Sequence, residues 1–367
     1  MKIALIVPGG VDRSGTHRVI PVLLALIRRL ASRHQVHVYA LQQESAPGEW
    51  ELDGAKIYNI GSAYTRLRAM RAVTAQHGRA PFDVVQSFFS GTPGLIAATA
   101  GRFLGIPSMI HVAGGELVAL RDLAYGGRLS WRGRLRESIV LRSATMVTAP
   151  SEPMLAALAR LKVKAQRVPL GVDRDLWPCR LPVPRQTGEP VRLLHVGSLN
   201  RVKDQATLLR GFALLVGSGS DARMDIVGED TLKGEIQAEA ARLQIQGRVT
   251  FHGFLTQTSL RPLMERAHLL VISSRHEAGP VVLLEAAIAG VPTVGTAVGH
   301  IAEWAPGAAL AAQIGDSAEL ARLISALLAD EPRRLRVAAE AQRRALEEDA
   351  DYTARRFEGI YAALGRA

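Results

Sequence analysis

Short apolar runs alternate along the chain with longer segments in which apolar residues recur every three or four positions. In the first half, we predict strands at residues 2–7 (KIALIV), 36–41, 84–87, 108–112 and 145–150. In the second half, we predict strands at residues 191–197 (VRLLHVG), 223–228, 248–253, 268–274 and 293–296. Helical periodicity separates most of these runs, as in residues 19–33, and the segment from residue 320 onward is also helical. This alternation predicts an α/β fold with parallel sheets and crossover helices.

A proline-rich stretch separates the two series of strands. Residues 176–190 (LWPCRLPVPRQTGEP) contain four of the eighteen prolines and no periodic pattern, which is typical of a linker. We therefore predict a first domain at residues 1–176, a linker at 177–190, a second domain at 191–345 and a terminal helical segment at 346–367. In two domains of this kind, a ligand is expected in the cleft between them, at the carboxyl ends of the strands.

Length and composition agree with a two-domain protein of a reducing compartment. The chain has 367 residues, more than one hydrophobic core normally holds. Its single cysteine, Cys179, cannot form an internal disulfide. The first apolar run is too short for a signal peptide, and no later run approaches the roughly 18 to 20 residues of a membrane span. We expect a cytoplasmic location. Peripheral attachment to the cytoplasmic face of the membrane is the alternative, and the positive charge described next is the reason for it.

Positive charge is concentrated in the first half of the chain. The net charge is +11, of which residues 1–180 carry +12 and residues 181–367 carry −1. Six arginines lie between Arg121 and Arg142, interleaved with apolar residues that include Trp131. Such a segment is suited either to an anionic membrane surface or to simple solvation, and both interpretations stay open. Nucleic acid is not an expected partner, because no aromatic stacking platform or groove-reading motif accompanies the charge.

Two glutamates stand eight positions apart in residues 273–290 (SSRHEAGPVVLLEAAIAG). Glycosidase carboxylates lie roughly 5 to 9.5 Å apart, whereas eight helical residues span about 12 Å. The residues after Glu277 form a turn, and a helix is predicted to begin near Pro280, so a hydrolase dyad is disfavoured. Glu285 then lies in an apolar helix, where it needs either a buried cation or hydrogen-bond donor, or a polar ligand such as sugar hydroxyls. The N–H groups around Gly279 to Val282 would attract an anion such as phosphate.

This stretch resembles the motif of two glutamates separated by seven residues in retaining glycosyltransferases of family 4, which have the two-domain GT-B fold. The resemblance implies that Glu277 contacts the donor sugar and that Glu285 contacts the ribose of the nucleotide. Ala278 replaces a glycine that is usual in the family. The resemblance also assigns to donor binding the residues at the helix start, which are Gly279, Pro280, Val281 and Val282.

Further segments of the second half resemble the same family. In HVGSLNRVKD (residues 195–204), Lys203 matches the lysine that binds the donor phosphates. Ser198 stands where the family often has arginine, and Arg201 is the candidate substitute. IVGED (226–230) and FHGFL (251–255) resemble the next two strand ends, the second beside the nucleotide base. These two segments add Gly228, Gly253, Phe254 and Leu255 to the predicted donor site.

The first half contributes two candidate residues and excludes one class of enzyme. The glycines of PGGVDRSGTHR (residues 8–18) do not have the GxGxxG spacing, so a nicotinamide dehydrogenase is a poor fit. The segment resembles the glycine-rich loop of the family, in which Gly15 would approach the donor phosphate. His111 matches the cleft histidine of the family and is predicted, with Glu277, to be catalytic. Asp173 and Asp175 have the spacing of a metal-binding DxD motif, but the resemblance places them at the exit from the first domain, and no metal is expected.

The resemblance implies a retaining, metal-independent transfer of a hexose-type sugar from a nucleoside diphosphate sugar of UDP or GDP type. No other cofactor is expected. The acceptor would be a glycan or a lipid-linked molecule, in cell-envelope or exopolysaccharide synthesis, and the terminal helix would pack back on the first domain. Two alternatives remain open: a nucleotide-sugar 2-epimerase of the same fold, and an inactive homologue that binds nucleotides or membranes, which Ser198 and Ala278 favour slightly.

Overall fold

The computed structural model describes residues 1–186 and 188–365, which form two compact units. The first unit comprises Met1–Gly171 together with the described residues from Glu348 onward, and the second comprises Val172–Glu347. The first unit ends at Gly171 rather than at 176, and the second ends at Glu347 rather than at 345. The second unit begins at Val172, well before the predicted start at 191, because it includes the segment predicted as a linker. Residue 187 of the predicted linker and residues 366 and 367 of the predicted terminal segment lie outside the described residues.

The first unit contains an eight-stranded sheet with helices between its strands. The strands are β1 (Lys2–Val7), β2 (Gln35–Ala40), β3 (Gly48–Leu52), β4 (Ala55–Asn59), β5 (Val84–Phe88), β6 (Ser108–His111), β7 (Met146–Ala149) and β8 (Gln166–Arg167). The helices before Gly171 are α1 (Pro21–Ala31), α2 (Thr65–Arg79), α3 (Thr92–Leu104), α4 (Trp131–Ser143) and α5 (Glu152–Arg160), with two short 3-10 helices at Gly115–Leu117 and Arg121–Leu123. The strand order is β3-β4-β2-β1-β5-β6-β7-β8.

The five strands predicted for this half are present, and three others were not predicted. Strands β3, β4 and β8 are additional, and β3 pairs with β4 as the antiparallel edge of an otherwise parallel sheet. A two-residue turn joins β3 to β4, in which Asp53 has φ 50° and Gly54 has φ 79°. An Asp-Gly pair between alternating residues is a strong hairpin signal, so the sequence did contain the information for this hairpin.

The second unit contains a six-stranded, entirely parallel sheet. Its strands are β9 (Val191–Val196), β10 (Ala222–Val227), β11 (Val249–Gly253), β12 (Leu269–Ile272), β13 (Thr293–Thr296) and β14 (Leu310–Ala312). Its helices are α6 (Gln205–Gly217), α7 (Glu235–Arg242), α8 (Gln257–Arg266), α9 (Val281–Ile288), α10 (Gly299–Trp304), α11 (Ser317–Ala329) and α12 (Glu331–Glu347), with a 3-10 helix at Gln246–Arg248. The strand order is β11-β10-β9-β12-β13-β14. Five of these strands were predicted, and β14 was not.

Both sheets are covered on two faces, which explains why their central strands are apolar at successive positions. Every residue of β1 is buried, as are all four residues of β12. In the second unit, one core contains Phe212 and Leu320, and the core on the other side of the sheet contains Trp304 and Leu284. The carboxyl ends of parallel strands share one edge, so each sheet presents its strand-end loops along a single edge.

The segment predicted as a linker packs against the second unit. Trp177 is 2 % exposed within the core of that unit. The backbone N–H of Arg180 donates to the carbonyl of Ile288 at 3.0 Å, and the Gln342 side chain donates to the carbonyl of Arg180 at 2.6 Å. The prolines prevent regular secondary structure here, but these contacts satisfy the backbone and hold the segment in place.

The last helix, α13 (Ala350–Leu364), returns to the first unit, as the resemblance implied. Phe357 and Tyr361 are fully buried in the core beside β1 and β5 residues. The Thr353 hydroxyl donates to the carbonyl of Pro169 at 2.8 Å and accepts from the N–H of Gly171 at 2.9 Å. The helix therefore fixes the end of the first unit as well as covering one face of its sheet.

Phe357→Ala tests the contribution of α13 to the first unit. Removing a fully buried phenyl ring leaves a cavity, and we expect the free energy of unfolding to fall by about 3–5 kcal/mol. Urea denaturation followed by circular dichroism measures this change. Arg355→Ala, an exposed position on the same helix, is the control, with an expected change within about 0.5 kcal/mol. A loss for Phe357→Ala no larger than the control would contradict the packing of α13.

Candidate functional site

The site begins with three neighbouring strand ends in the second unit. The N–H of Gly197, after β9, donates to the carbonyl of Val227 at 2.8 Å, and the N–H of Gly228 donates to the carbonyl of Gly253 at 2.8 Å. Gly228 has φ 151°, and a Cβ atom there would lie 2.1 Å from the carbonyl oxygen of Gly197. Only glycine fits at this position, because the two strand ends approach each other backbone to backbone.

Lys203 lies across the first of these strand ends. The Asn200 side chain accepts hydrogen bonds from the N–H groups of Val202 and Lys203, each at 3.0 Å, and so fixes the loop after β9. The lysine stem passes over Gly197, where a Cβ atom would lie 3.4 Å from Lys203 Cδ and Cε. The absence of a side chain at Gly197 therefore leaves space for the lysine to cross the end of β9.

Lys203 and Glu277 form an ion pair. Lys203 Nζ lies 2.6 Å from Glu277 Oε1, and the Ser274 hydroxyl donates to the same oxygen at 2.6 Å. The side chains are 29 % and 13 % exposed, so the pair is largely shielded from water but still reachable. The structure thus brings together the residues predicted for phosphate and for sugar, which come from loops after β9 and β12.

The loop that carries Glu277 is held from two sides. On one side, the Ser273 hydroxyl donates to the carbonyl of Lys203 at 2.8 Å. On the other side, the Thr296 hydroxyl donates to the carbonyl of Ser274 at 2.5 Å. A Cβ atom on Gly299, which has φ 48°, would lie 3.1 Å from the carbonyl oxygen of Glu277. These contacts place the Glu277 carboxylate before any ligand binds.

A buried histidine below this loop was not predicted. His195 on β9 is 1 % exposed, its Nδ1–H donates to the carbonyl of Val271 at 2.9 Å, and Gln205 Nε2 lies 3.2 Å from its Nε2. Burial, with a smaller contribution from the charge of Lys203, lowers the pKa of His195 to about 4, so the ring is neutral. Gln205 also donates to the carbonyl of Ser198 at 3.1 Å. This network holds the loop that bears Ser198, and a histidine directly after two leucines at the end of the strand was its sequence signal.

Glu285 is the fifth residue of α9 and is 5 % exposed. It accepts a hydrogen bond from Gln257 Nε2 at 3.0 Å, while Gln257 Oε1 accepts from the indole N–H of Trp177. Burial raises the pKa of Glu285 to about 7, and the Gln257 hydrogen bond opposes that shift only in part. The sequence left open a buried cation, a hydrogen-bond donor or a polar ligand as the partner of Glu285. The described structure shows a donor, the neutral amide of Gln257, which is itself oriented by Trp177.

The N-terminus of α9 lies between the two glutamates. Pro280 is the residue before its first turn and provides no side-chain cap. Within the described residues, the N–H groups of Val281 and Val282 have no hydrogen-bond partner, and both residues are partly exposed. Gly279 is also partly exposed. These amides and the helix dipole provide a positive potential on the same loop as Glu277.

The remaining predicted residues of the second unit occupy more exposed positions. Ser198 is exposed at the end of β9. Arg201 is 62 % exposed and pairs with Glu235 on α7 at 2.8 Å. After β11, Phe254 is 55 % exposed, whereas Leu255 packs against the core. The structure therefore places Arg201 in a surface ion pair rather than beside Lys203 and Glu277.

Gly15 lies in a turn of the first unit. It has φ 66°, and its N–H donates to the carbonyl of Asp12 at 3.0 Å. The loop before this turn is bound by Gln43, whose Oε1 accepts from the N–H groups of Gly10 at 2.6 Å and Val11 at 3.0 Å. The conformation at Gly15 suits glycine, and its approach to the donor phosphate stays a prediction.

His111 does not reach the surface of the first unit, contrary to the role predicted for it. It ends β6, but its ring is 0 % exposed and packs between Phe88 and Phe357, with ring centroids 5.3 and 5.6 Å away. Burial lowers its pKa to about 3, and its Nδ1 lies 2.9 Å from the Thr148 hydroxyl oxygen. Alternation along the strand puts His111 on the same face as Met109, and α13 covers that face. In this structure, His111 is a core residue.

Two buried acids contact the loop that follows β5. Glu116 is 8 % exposed and accepts from the N–H of Gly114 at 2.6 Å and from that of Ser90 at 3.2 Å. Glu137 on α4 is 2 % exposed and accepts from the hydroxyl of Ser90. Burial raises the pKa of both carboxyl groups, that of Glu116 to about 7. The sequence AGGE after the strand was the available signal, and both acids tie together the loops at this edge of the first sheet.

The aspartates of the DxD spacing form a turn. Asp173 is 4 % exposed, and its Oδ1 accepts from the N–H of Asp175 at 3.2 Å. In residues 1–186 and 188–365, no three His, Cys, Asp or Glu side chains are grouped as metal ligands would be. The helices of the same residues include none with the length and apolar character needed to cross a membrane.

Comparison with known proteins identifies the family of both units. A model described as glycosyl transferase 4-like domain matches residues 19–171, and one described as glycosyl transferases group 1 matches residues 183–344. Glycogen synthase of Mycobacterium tuberculosis (strain H37Rv) is 31 % identical over 229 residues, 61 % of this chain and 53 % of that protein. The chain thus spans about half the length of that relative. The putative glycosyltransferase EpsF of Bacillus subtilis is 26 % identical over 320 residues, 80 % of this chain and 78 % of that protein.

Solved structures show the same fold over the whole chain. Sucrose-phosphate synthase from Thermosynechococcus elongatus is 18 % identical with a TM-score of 0.85, and the superposition covers 99 % of each chain. Anabaena HepE in complex with UDP and glucose is 18 % identical with a TM-score of 0.75, covering 99 % of this chain and 100 % of that one. With two parallel-sheet α/β units and a terminal helix that returns to the first, the chain has the GT-B fold and belongs to the group 1, family 4-type glycosyltransferases.

Proposed function

We propose that the protein is a retaining glycosyltransferase that takes a hexose-type sugar from a nucleoside diphosphate sugar and passes it to a glycan or lipid-linked acceptor. The observation that carries this proposal is the ion pair of Lys203 and Glu277 on the loops after β9 and β12, together with Glu285 on helix α9, which begins where the second of these loops ends. One cation and two differently shielded carboxyl groups suit a ligand that has phosphates at its centre and hydroxyl-bearing rings on both sides.

The diphosphate would bind to Lys203 and to the N-terminal amides of α9. In the free protein, Lys203 is paired with Glu277 at 2.6 Å. A diphosphate would attract the ammonium group more strongly than a single carboxylate does, because it carries more charge. Lys203 would then shift towards the phosphates, and Glu277 would accept hydrogen bonds from the sugar hydroxyls. The lysine and the amides of Val281 and Val282 would stabilise the charge on the departing diphosphate without a metal ion.

The Glu285 carboxylate would accept hydrogen bonds from two hydroxyl groups of the ribose. Its burial makes the ionised form costly in the free protein, as its raised pKa of about 7 indicates. Two hydroxyl donors would stabilise that ionised form when the nucleotide binds. HepE, which has this fold, was crystallised with UDP-glucose, and this supports a nucleotide sugar as the donor. No further cofactor is required by this scheme.

Helix α4 supports a membrane surface as the site of the acceptor. Trp131, Leu135 and Ile139 follow one another at helical spacing and are 62 %, 54 % and 57 % exposed. They form an apolar stripe on the solvent side of the helix, and Arg132 and Arg136 lie next to it. Exposed apolar side chains flanked by arginines are suited to the interface of an anionic bilayer. We therefore propose peripheral binding through α4, on the cytoplasmic face.

Lys203→Ala and Glu285→Ala test the donor site. Loss of a charge-assisted contact is expected to weaken binding of the matching nucleoside diphosphate by about 10- to 100-fold in each variant. A thermal-shift panel of UDP, GDP and their sugars identifies the ligand, and titration calorimetry then gives the affinities. Arg210→Ala, an exposed position on α6, is the control and should bind as the wild type does. Unchanged affinity in both site variants would reject the assignment.

Glu285→Gln should separate stability from binding. The carboxyl pKa is about 7 in the folded protein and 4.5 for an unperturbed glutamate, so its contribution to stability decreases as pH rises from about 4.5 to 7. Glutamine can still accept from Gln257 and carries no charge. We therefore expect the variant to be more stable than the wild type by about 1–3 kcal/mol at pH 8. Near pH 4.5 the two should be alike, and nucleotide binding should be weaker in the variant.

Thermal melts at the two pH values measure the stability difference. Glu229→Gln, an exposed acid of the same unit, is the matched control and should show little difference at either pH. If Glu285→Gln is less stable than the wild type at pH 8, Glu285 is a structural residue and the ligand role is wrong.

Leu135→Glu tests the membrane surface. It places an acid in the middle of the exposed stripe. We expect the wild-type protein to float with phosphatidylglycerol vesicles and the variant to remain unbound. Leu214→Glu changes another exposed leucine, on α6 of the second unit, and should not affect flotation. Equal failure of the wild-type protein to bind anionic and neutral vesicles would exclude the membrane proposal while leaving the donor site intact.

A further inference from the structure

A cavity of about 310 Å³ lies in the second unit, at the amino edge of its sheet. One wall is part of the proline-rich segment that precedes β9, with Arg180 and Val183. The other wall is the edge of the sheet itself, where Arg192 is the second residue of β9, His268 precedes β12 and Val291 precedes β13. The volume is at the lower end of the range of about 300–1,000 Å³ that is typical of small-molecule sites.

The cavity is separate from the proposed donor site. Arg192 lies near the start of β9, whereas Gly197 follows its end, and five residues of a strand span about 17 Å. The ion pair of Lys203 and Glu277 belongs to the loops beyond the Gly197 end of the sheet. A ligand that fits this cavity therefore does not reach the ion pair.

The two acids that line the cavity already have partners. Glu265 lies 2.6 Å from Arg180 Nη1. Glu189 Oε1 lies 3.1 Å from His268 Nε2. Nδ1 of the same histidine accepts from the backbone N–H of Arg192 at 3.0 Å, so Nε2 carries the proton and donates to Glu189. Both carboxylates are thus satisfied without the side chain of Arg192.

Arg334 holds the two walls together. It is 2 % exposed, and its Nε and Nη2 donate to Glu331 at 2.8 and 2.6 Å. Nη2 also donates to the carbonyl of Val183 at 2.6 Å, and Nη1 donates to the carbonyl of His268 at 3.2 Å. This guanidinium group therefore binds the proline-rich segment to the residue before β12. The cavity between them is formed before any ligand binds, which reduces the cost of binding.

The side chains of Arg192 and Arg266 have no comparable role. Both line the cavity and are exposed, and neither forms an ion pair with another residue that the structure describes. They are close in the fold, because the N–H of His268, two residues after Arg266, donates to the carbonyl of Arg192 at 2.8 Å. A guanidinium group presents a fork of N–H donors that matches the oxygens of a phosphate. Two such groups on one cavity indicate an anionic ligand, and phosphate is the anion that suits them best.

The remaining space and the apolar lining indicate that the ligand is larger than a phosphate ion. A volume of 310 Å³ corresponds to about ten water molecules at ~30 Å³ each, which exceeds the size of an ion with one phosphorus atom. Leu181, Val183 and Val291 supply apolar surface in the same cavity. Carbon atoms of an organic group can lie against such side chains, and a bare ion would leave them unused.

We propose that this cavity is a binding site for a small phosphate ester. The phosphate contacts Arg192 and Arg266, and the organic group lies between Val183 and Val291. The bound ester joins the proline-rich segment to the amino edge of the sheet. The inference goes beyond the proposed function, because this edge is opposite to the one that carries the donor site.

Titration calorimetry on the full chain tests the proposal. The probes form a size series of glycerol 3-phosphate, ribose 5-phosphate and glucose 6-phosphate, each beside its unphosphorylated form, with inorganic phosphate as a separate arm. We expect at least one ester to bind at least tenfold more tightly than both its unphosphorylated form and inorganic phosphate. Equal binding of inorganic phosphate and of every ester would overturn the proposal, because the organic group would then not be recognised.

Matched variants locate the binding. Arg192→Gln and Arg266→Gln each remove one exposed cation, and each should weaken binding of the preferred ester by tenfold or more. Arg336→Gln is the control, since it is an exposed arginine of the α12 helix, two positions after Arg334 and outside the cavity. It should stay within twofold of the wild type. Lys203→Ala should bind the ester as the wild type does.

The same variants separate this inference from the proposed function. Affinity for the nucleoside diphosphate should fall in Lys203→Ala and stay unchanged in Arg192→Gln and Arg266→Gln. If the ester binds equally well to both arginine variants, or is lost in Lys203→Ala, the proposed cavity is not its site and the inference is overturned. If ester binding follows the two arginines while no nucleoside diphosphate binds, the ester site stands and the donor-site proposal fails.

Discussion

The second unit has to keep a cation at the ends of its strands while no ligand is present, and the ion pair of Lys203 with Glu277 meets this constraint. Burying either charge alone would be costly, whereas together they are 2.6 Å apart, and the Ser274 hydroxyl donates a further hydrogen bond to Glu277. The local backbone serves this pair. Gly197 leaves space for the lysine stem, and the loop of Glu277 is bound to the carbonyl of Lys203 through Ser273. The cation that we propose for phosphate binding is therefore already in place in the free protein, where it is paired with Glu277.

Glu285 is buried without a cation, in contrast to Glu277, because its hydrogen-bond partner is the neutral amide of Gln257. The amide of Gln257 can stabilise a carboxylate only modestly, and burial keeps the pKa of Glu285 near 7. Trp177 fixes the orientation of Gln257, so the proline-rich segment predicted as a linker contributes to the site through one hydrogen bond. A buried acid without a cation partner lowers the free energy of unfolding once it is ionised. Such a cost is expected at a site where a ligand supplies further hydrogen-bond donors, as we propose for Glu285.

Much of the fold could be predicted from the sequence because buried parallel strands are continuous apolar runs. The hairpin of β3 and β4 was missed for the converse reason: an edge hairpin is only half buried, and its residues alternate. His111 shows a second limit. Its position at the end of β6 was predicted, but the burial of its ring depends on α13, which comes from the far end of the chain and covers that face of the sheet. The donor site was accessible through a resemblance, whereas Gln257, His195 and Gln205 act only through contacts that sequence spacing does not show.

The uneven charge has a structural counterpart in the way the two units use arginine. In the second unit, arginines such as Arg242 and Arg343 pair with acids of their own helices, Glu239 and Glu340. In the first unit, α2 has arginines and no acid, and the stripe of α4 is flanked by arginines. Long-range attraction by such unneutralised charge is screened within about 10 Å at 0.1 M salt, whereas a contact inside a cavity is screened much less. Any attraction of an anionic partner to the arginines of the first unit is therefore expected to weaken as the salt concentration rises.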